Sequence, residues 1–179
     1  MRSRFKFVDL ENQLYFMTFT VVANIPVFTS SGYMDIIIEN FKFYRDNENL
    51  KIFYYVIMDN HIHLVGSHHD NIARIIQSLK KYTAKEILKL LETDSRQWIL
   101  YLLKYFKKKY KKESTYQFWQ EGSHPEMIFN LKILNQKANY IHQNPVKRGL
   151  VEEEQDWLYS SARNIHGLSN IFEVDQIEF

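Results

Sequence analysis

Two histidines separated by one apolar residue, His61-Ile62-His63, are the side chains of this sequence with the plainest chemical use. They lie in Met58-Asp59-Asn60-His61-Ile62-His63-Leu64-Val65, where His61 to Ser67 reads as a strand. Alternate strand residues share a face, so both imidazoles point one way while Ile62 and Leu64 point into the core. Their separation along the strand is about 6–7 Å, which lets them converge on one cation. Imidazole suits zinc, manganese and iron, and a pair leaves coordination positions open for water and phosphate oxygens. The same spacing also fits two surface histidines on a half-buried strand. His68-His69 carries no such signal, because consecutive strand residues face opposite ways.

Tyr140 is the candidate nucleophile. It sits between Leu131 and about Gln143, where Leu131, Leu134, Ala138 and Ile141 follow one apolar helix face. The spacing turns Tyr140 well off that face, nearly opposite, beside Gln136 and Gln143, with Asn144 one turn on. A phenol has a reference pKa of about 10, so attack on a phosphate at neutral pH needs help. A cation polarising the phosphoryl group and rigid in-line placement would supply it. An amide oxygen from Asn144 or Gln143 could complete the cation's shell. Without that company, the segment is an ordinary helix with a packing tyrosine and an Asn-Pro stop. Tyr82, in Ser78-Leu79-Lys80-Lys81-Tyr82, is a reserve nucleophile.

Cations and rings alternate in Lys104-Tyr105-Phe106-Lys107-Lys108-Lys109-Tyr110-Lys111-Lys112. Lysines attract phosphates and rings stack on unpaired bases, which together make a single-strand groove. A solvated helix with its rings turned inward explains the same pattern. Lys107 and Lys108 are the expected DNA contacts there, and Lys80, Lys81, Lys147 and Arg148 extend the positive surface. Trp119, Gln120 and His124 are further candidate contacts near the site.

The elements that must position these groups are legible from periodicity. Gln13 to Val22 is aromatic and β-branched, a buried strand, and Tyr33 to Arg45 has apolar residues at helical spacing. Lys51 to Met58 is a second strand and His61 to Ser67 a third. Asp59-Asn60 between them predicts a tight turn with a positive φ. Asn71 is placed to cap a helix carrying Ile72, Ile75, Ile76, Leu79 and Ile87. A lysine-rich, partly helical insertion covers about 93–115, a short strand runs from Pro125 to Phe129, and Asn130 caps the tyrosine helix. Strand, helix, strand, strand, helix, strand, helix is the order of a split βαβ, ferredoxin-like α+β fold. The expectation is a single domain over 1–179, with the charged stretch from Glu152 onward packed in part through Trp157 and Tyr159 and a C-terminal tail from about 164.

Composition sets the outer bounds. With 179 residues, 45% hydrophobic and 25% charged, the chain can bury one sizeable core. It has no cysteine, which excludes disulfides and thiolate metal sites and leaves histidine, carboxylate or amide ligands. No apolar run is long enough for a bilayer span, and the start lacks the apolar centre of a signal peptide. A cytoplasmic protein with no membrane contact is therefore expected. A net charge of +2 does not by itself argue for nucleic acid.

Taken together, the segments resemble the REP-associated tyrosine transposases, relatives of the single-tyrosine transposases of small insertion sequences within the HUH (His-hydrophobic-His) endonuclease superfamily. The likeness rests on Tyr55-Val56-Ile57-Met58-Asp59-Asn60-His61-Ile62-His63-Leu64, on Phe118-Trp119-Gln120, and above all on the run from Tyr140-Ile141-His142-Gln143-Asn144-Pro145 to Val151. Trp157-Leu158-Tyr159-Ser160-Ser161-Ala162 fits the family's closing motif. The resemblance implies an antiparallel sheet with helices packed on it, the histidine pair on a central strand and the tyrosine on a facing helix. It implies Mg²⁺ or Mn²⁺ at His61 and His63, and attack of Tyr140 on a DNA phosphodiester to give a 5′-phosphotyrosine and a free 3′-hydroxyl. Such an enzyme cleaves and rejoins single-stranded, hairpin-forming DNA, as monomer or homodimer. In the insertion-sequence relatives a glutamine one turn after the tyrosine completes the metal site. Asn144 stands there in this chain, with Gln143 in reserve. Asp59 replaces the proline often found before the motif's asparagine, and the lysine-rich insertion is longer than in compact members.

Two other classes fit part of the pattern. A catalytically silent nucleic-acid-binding protein would keep the sheet and groove but has no need of both histidines and Tyr140. A metal hydrolase using activated water would need a well-placed acid, and only Asp59 is close in sequence.

Overall fold

Period-two alternation within the strands decides how they assemble. The computed structural model describes residues 13–122 and 125–177. In chain order it places β1 (Leu14–Thr20), α1 (Ser31–Glu48), β2 (Lys51–Ile57), β3 (His61–Ser67), α2 (Ile72–Thr93), α3 (Gln97–Tyr105), β4 (Glu126–Ile128) and α4 (Leu131–His142). Two short helices follow, α5 (Asn144–Lys147) and α6 (Ala162–Ile165). The strands form an antiparallel sheet in the order β2-β3-β1-β4. This is the expected ferredoxin-like α+β arrangement, with the histidine strand β3 in the middle.

The sheet has two unequal faces. On the first, Tyr15, Met17 and Phe19 of β1 join Ile62 and Leu64 of β3 in the main core. Helix α1 adds Ile37 and Phe41, and α2 adds Ile75, Leu79 and Ile87. On the second face a smaller cluster gathers Phe16, Val56 and Val65 under Leu134 and Ile141 of α4. The helices after β1 and β3 thus lie on one side, and the tyrosine helix on the other.

Local chemistry explains several boundaries. Asn71 caps α2 by accepting from Arg74 N at 2.8 Å, and Asn130 caps α4 by accepting from Ile133 N at 2.9 Å. Asn49 ends α1 in the left-handed region, at φ 54°. Helix α4 stops before Asn144-Pro145, as expected, but the chain turns helical again at Asn144. Pro145 sits in the first turn of α5, where its missing N–H costs no intrahelical bond. Near the end of β3, a Cβ on Gly66 would lie 2.6 Å from the Lys51 carbonyl oxygen, so only glycine allows β2 this close.

The Asp59-Asn60 turn departs from expectation. Neither residue has positive φ; the turn is held from outside instead. The Asp59 carbonyl accepts from Phe28 N at 2.8 Å and the Asn60 carbonyl from Val21 N at 2.9 Å. Tertiary anchoring has replaced the local turn preference.

The insertion contains the end of α2, the whole of α3 and the lysine-rich loop after it. The tail packs more extensively than Trp157 and Tyr159 alone would suggest. Trp157 Nε1 donates to the Ile57 carbonyl at 3.0 Å and Tyr159 Oη to Asp35 at 2.8 Å. Further on, Phe172 is buried, and Asp175 closes the outer edge of β2. Its N–H donates to Ile52 O and its carboxylate accepts from Ile52 N. Among the described residues no helix is long and apolar enough to cross a membrane.

Candidate active site

Alternation along β3 turns His61 and His63 to the second sheet face, the one covered by α4. Their ring centroids are 4.7 Å apart. Tyr140 meets them from the helix, its ring 5.0 Å from that of His63 and edge-on to it. Phe16 of β1 completes the group, stacked on His63 at 5.4 Å and edge-on to Tyr140 at 6.0 Å. The phenol is 42% exposed, open to a substrate.

Hydrogen bonds fix both imidazoles. Asn60 Nδ2 donates to the Asn24 carbonyl at 3.2 Å, which leaves Asn60 Oδ1 facing His61 Nδ1 at 2.6 Å. An amide oxygen only accepts, so His61 carries its proton on Nδ1 and its Nε2 holds a lone pair. His63 Nδ1 lies 2.8 Å from Thr18 Oγ1, while its Nε2 is buried with no partner. Burial lowers the His63 pKa to about 3 and that of His61 below the usual histidine range. Both rings are neutral at pH 7, as metal ligation requires. An orphaned buried nitrogen is costly unless something satisfies it, and a cation at Nε2 would do so, with the Nδ1 proton donated to Thr18. Among the described residues no three His, Asp or Glu side chains converge, so a cation here would take two imidazoles and an amide.

Asn144 is buried at the start of α5 and its side chain acts on His61 as a hydrogen-bonding partner. It is the amide that the structure brings to the pair. Gln143 is engaged elsewhere, donating to Glu154 at 2.6 Å. Asp59 is tied by both oxygens to the Arg148 guanidinium, at 2.9 and 3.1 Å, and so is poorly placed to activate a water.

The end of α4 is pinned beside this group. Ser161 Oγ accepts from Tyr55 N and donates to Tyr55 O, so His142 Nε2–H donates to Ser161 at 2.9 Å. Burial lowers the His142 pKa to about 4 and keeps that ring neutral. The Tyr140-to-Pro145 run and the Ser160-Ser161 pair are thus two halves of one clamp between α4 and β2.

The remaining sequence candidates divide. Lys147 is near the nucleophile, its Nζ 5.8 Å from the Tyr140 ring centroid, and Arg148 holds Asp59. Gln120 is exposed, and its N–H donates to the carbonyl of Thr20, the residue paired with His61. Trp119 is 8% exposed in the main core, its Nε1 donating to Lys80 O at 2.9 Å. It packs the fold rather than offering a face for a base. Lys80 lies along Phe19 and Trp119 on the first sheet face, and Lys81 is exposed on the same helix. Tyr82 also rides on α2, in a cleft against α1, with the sheet between it and the histidines. Lys107 donates to the Lys111 carbonyl and Lys108 pairs with Glu121 at 3.3 Å, both beyond the end of α3. His124 lies outside the described residues.

Three site residues escaped the sequence reading: Thr18, Phe16 and Lys137. Thr18 and Phe16 share a face of β1, but only the pairing of β1 with β3 reveals that this face carries the histidines. Lys137 precedes Tyr140 by one turn. Its Nζ is 4.3 Å from the Phe16 ring centroid and 2.6 Å from Glu126, and its charge helps lower the His63 pKa.

No protein-family model matches the chain. Over 108 residues, 59% of this chain, it is 33% identical to a Haemophilus influenzae protein named as a REP-associated tyrosine transposase. That alignment spans 54% of the relative, so the chain covers about half the length of the curated protein it matches. Among solved structures, a REP-associated tyrosine transposase bound to a REP hairpin superposes with a TM-score of 0.65 at 20% identity. It covers 99% of this chain and 94% of the other. The resemblance read from the motifs is therefore borne out, in sequence by the curated relative and in fold by the solved structure.

Proposed function

We propose that the chain is a tyrosine transposase of the REP-associated type: a single-strand DNA endonuclease and strand transferase acting on hairpin-forming DNA. The observation that carries this reading is the meeting of Tyr140 with His63, whose buried Nε2 has no partner. A phenol beside two neutral imidazoles, that of His63 with an unpartnered Nε2, is a donor set suited to phosphodiester attack by tyrosine.

In this reading His61, His63 and Asn144 hold Mg²⁺ or Mn²⁺. When bound, the ion would supply Lewis-acid polarisation of a phosphoryl oxygen. Tyr140 loses its phenolic proton to solvent and its Oη forms a bond to phosphorus. The bond from phosphorus to the 3′ oxygen breaks, and that oxygen takes up a proton as a free 3′-hydroxyl. The 5′ phosphate stays on Tyr140, and attack by another 3′-hydroxyl reverses the step and joins a new strand. The clamp from His142 through Ser161 to Tyr55 keeps the end of α4 seated, and Phe16 keeps the phenol and His63 in register. Lys147 brings positive charge beside the phenol, while Arg148 is held in its ion pair with Asp59. Hairpin DNA as substrate is taken from the solved relative bound to a REP hairpin.

The test uses Mn²⁺ and end-labelled single-stranded oligonucleotides from the chain's own genomic flanks, hairpins included, with Tyr140→Phe and Tyr82→Phe alongside. A denaturation-resistant adduct carrying the 3′-side fragment, absent only in Tyr140→Phe, is the expected result. Cleavage without any adduct would replace this reading with a water-using hydrolase, and an adduct lost only in Tyr82→Phe would move the nucleophile.

A further inference from the structure

Helix α3 carries a feature that the Tyr140 site does not use. Its buried side supplies Leu100 and Leu103 to the main core. On its solvent side Trp98, Tyr101 and Tyr105 are 69%, 55% and 67% exposed. Their spacing, three and then four residues, places the rings in a row. They are also nearly parallel. Trp98 and Tyr101 have centroids 5.8 Å apart and planes 21° apart, and Tyr101 and Tyr105 are 5.9 Å and 25° apart. Three large rings stacked in water on one helix leave apolar faces uncovered that a partner would bury.

Charge selects among partners. Lys104, Lys109 and Lys112 are exposed on or just after α3 and form no ion pair among the described residues. Protein interfaces are depleted in lysine at their centres, whereas grooves for single-stranded nucleic acid combine lysines with stacking rings. The helix also holds the rings in order before any ligand arrives, which lowers the entropy cost of stacking on them. From α3 the chain runs through Gln117, whose N–H donates to Leu103 O, to Gln120 beside Thr20, opposite His61. One continuous segment links this row to the histidine end of the candidate site.

We infer that the Trp98-Tyr101-Tyr105 row is a second DNA-binding surface, on which unpaired bases of single-stranded DNA stack while Lys104, Lys109 and Lys112 contact the phosphates. The inference rests on the single-strand DNA reading above and adds a site distant in sequence from the nucleophile. It assigns the row to the unpaired strand rather than to the hairpin stem, since only unpaired bases present free ring faces.

The test is binding of the full chain to a labelled oligothymidylate, which forms no hairpin, measured by fluorescence anisotropy without divalent cation. Trp98→Ala and Tyr105→Ala are each expected to weaken binding by roughly fivefold or more, the scale of one lost base–ring stack. Tyr101→Phe, which keeps the ring, is expected to bind as the parent chain does. Lys104→Ala should make the salt dependence shallower by about 0.7 in the slope of log affinity against log salt. The rings are exposed, so these variants should melt with the parent. If the parent binds and both alanine variants bind equally well, the row is not a DNA surface, and the Tyr140 reading stands untouched. If the parent binds neither oligothymidylate nor hairpins, both readings fall. If the variants instead convert a sedimenting dimer to monomer at unchanged DNA affinity, the row is a contact between copies of the chain and the inference is overturned.

Discussion

Thr18→Val tests whether the histidine pair is arranged for a cation. Valine keeps the shape of threonine and removes the oxygen 2.8 Å from His63 Nδ1. His63 is 4% exposed and its Nε2 already lacks a partner. Its Nδ1–H would then be a second unsatisfied buried atom, at about 1–3 kcal/mol. The ring can move its proton to Nε2, but that tautomer has no lone pair to offer at Nε2. By either route, loss of such an outer partner weakens metal binding about 10- to 100-fold, or about 1.4–2.7 kcal/mol. The assay is calorimetric titration of the cation-free protein with Mn²⁺, for the parent chain, Thr18→Val and Thr18→Ser. Thr18→Ser, which keeps the hydroxyl, should bind close to the parent. Equal Mn²⁺ affinity in Thr18→Val and the parent would refute the link between the threonine and the metal-ready tautomer.

Two further outcomes follow from burial. Cation-free protein should lose stability on acidification: His63 and His142 have folded pKa values of about 3 and about 4, below the unfolded value near 6.5. Their contribution is complete above about pH 6.5 and is lost as pH falls towards those values, because the unfolded chain takes up the protons first. The slope approaches about 1.4 kcal/mol per pH unit for each ring, and equal urea midpoints at pH 7 and pH 5 would contradict it. Trp119→Ala should cost about 3–5 kcal/mol of stability as a core truncation. A variant that melts like the parent but fails to bind DNA would show that the indole faces solvent instead.

The sequence disclosed β3 and the direction of its histidines because period two is strict within one strand. It disclosed the end of α4 because Pro145 has no N–H to continue the helix's bonding, although Asn144 before it turns helical again in α5. What it could not disclose depends on pairing between distant segments. Thr18 becomes an outer partner only through the register that sets it against His63. Tyr140 was expected nearly opposite the apolar face of its helix, yet it touches Phe16 and His63 on the sheet side. The reason is that Leu131, counted in the apolar stripe, is 51% exposed, while Lys137 is largely covered. The true inward face is rotated towards the tyrosine. Trp119 misled because an aromatic ring beside a polar residue suits base stacking and core packing equally. Only the strand end against which it folds, at Val21, decides between them.

The unequal faces of the sheet separate two kinds of tolerance to change. The large core on one side can specify the fold with little reference to the residues under α4. Under the proposed function, substitutions at Tyr140, His61 or Asn144 should therefore alter reactivity while the chain still folds. On the same proposal, a lineage built this way could exchange substrates, or give up cleavage and keep binding, by drifting on one surface alone. The sheet acts as a partition between inheritance of shape and experiment with chemistry.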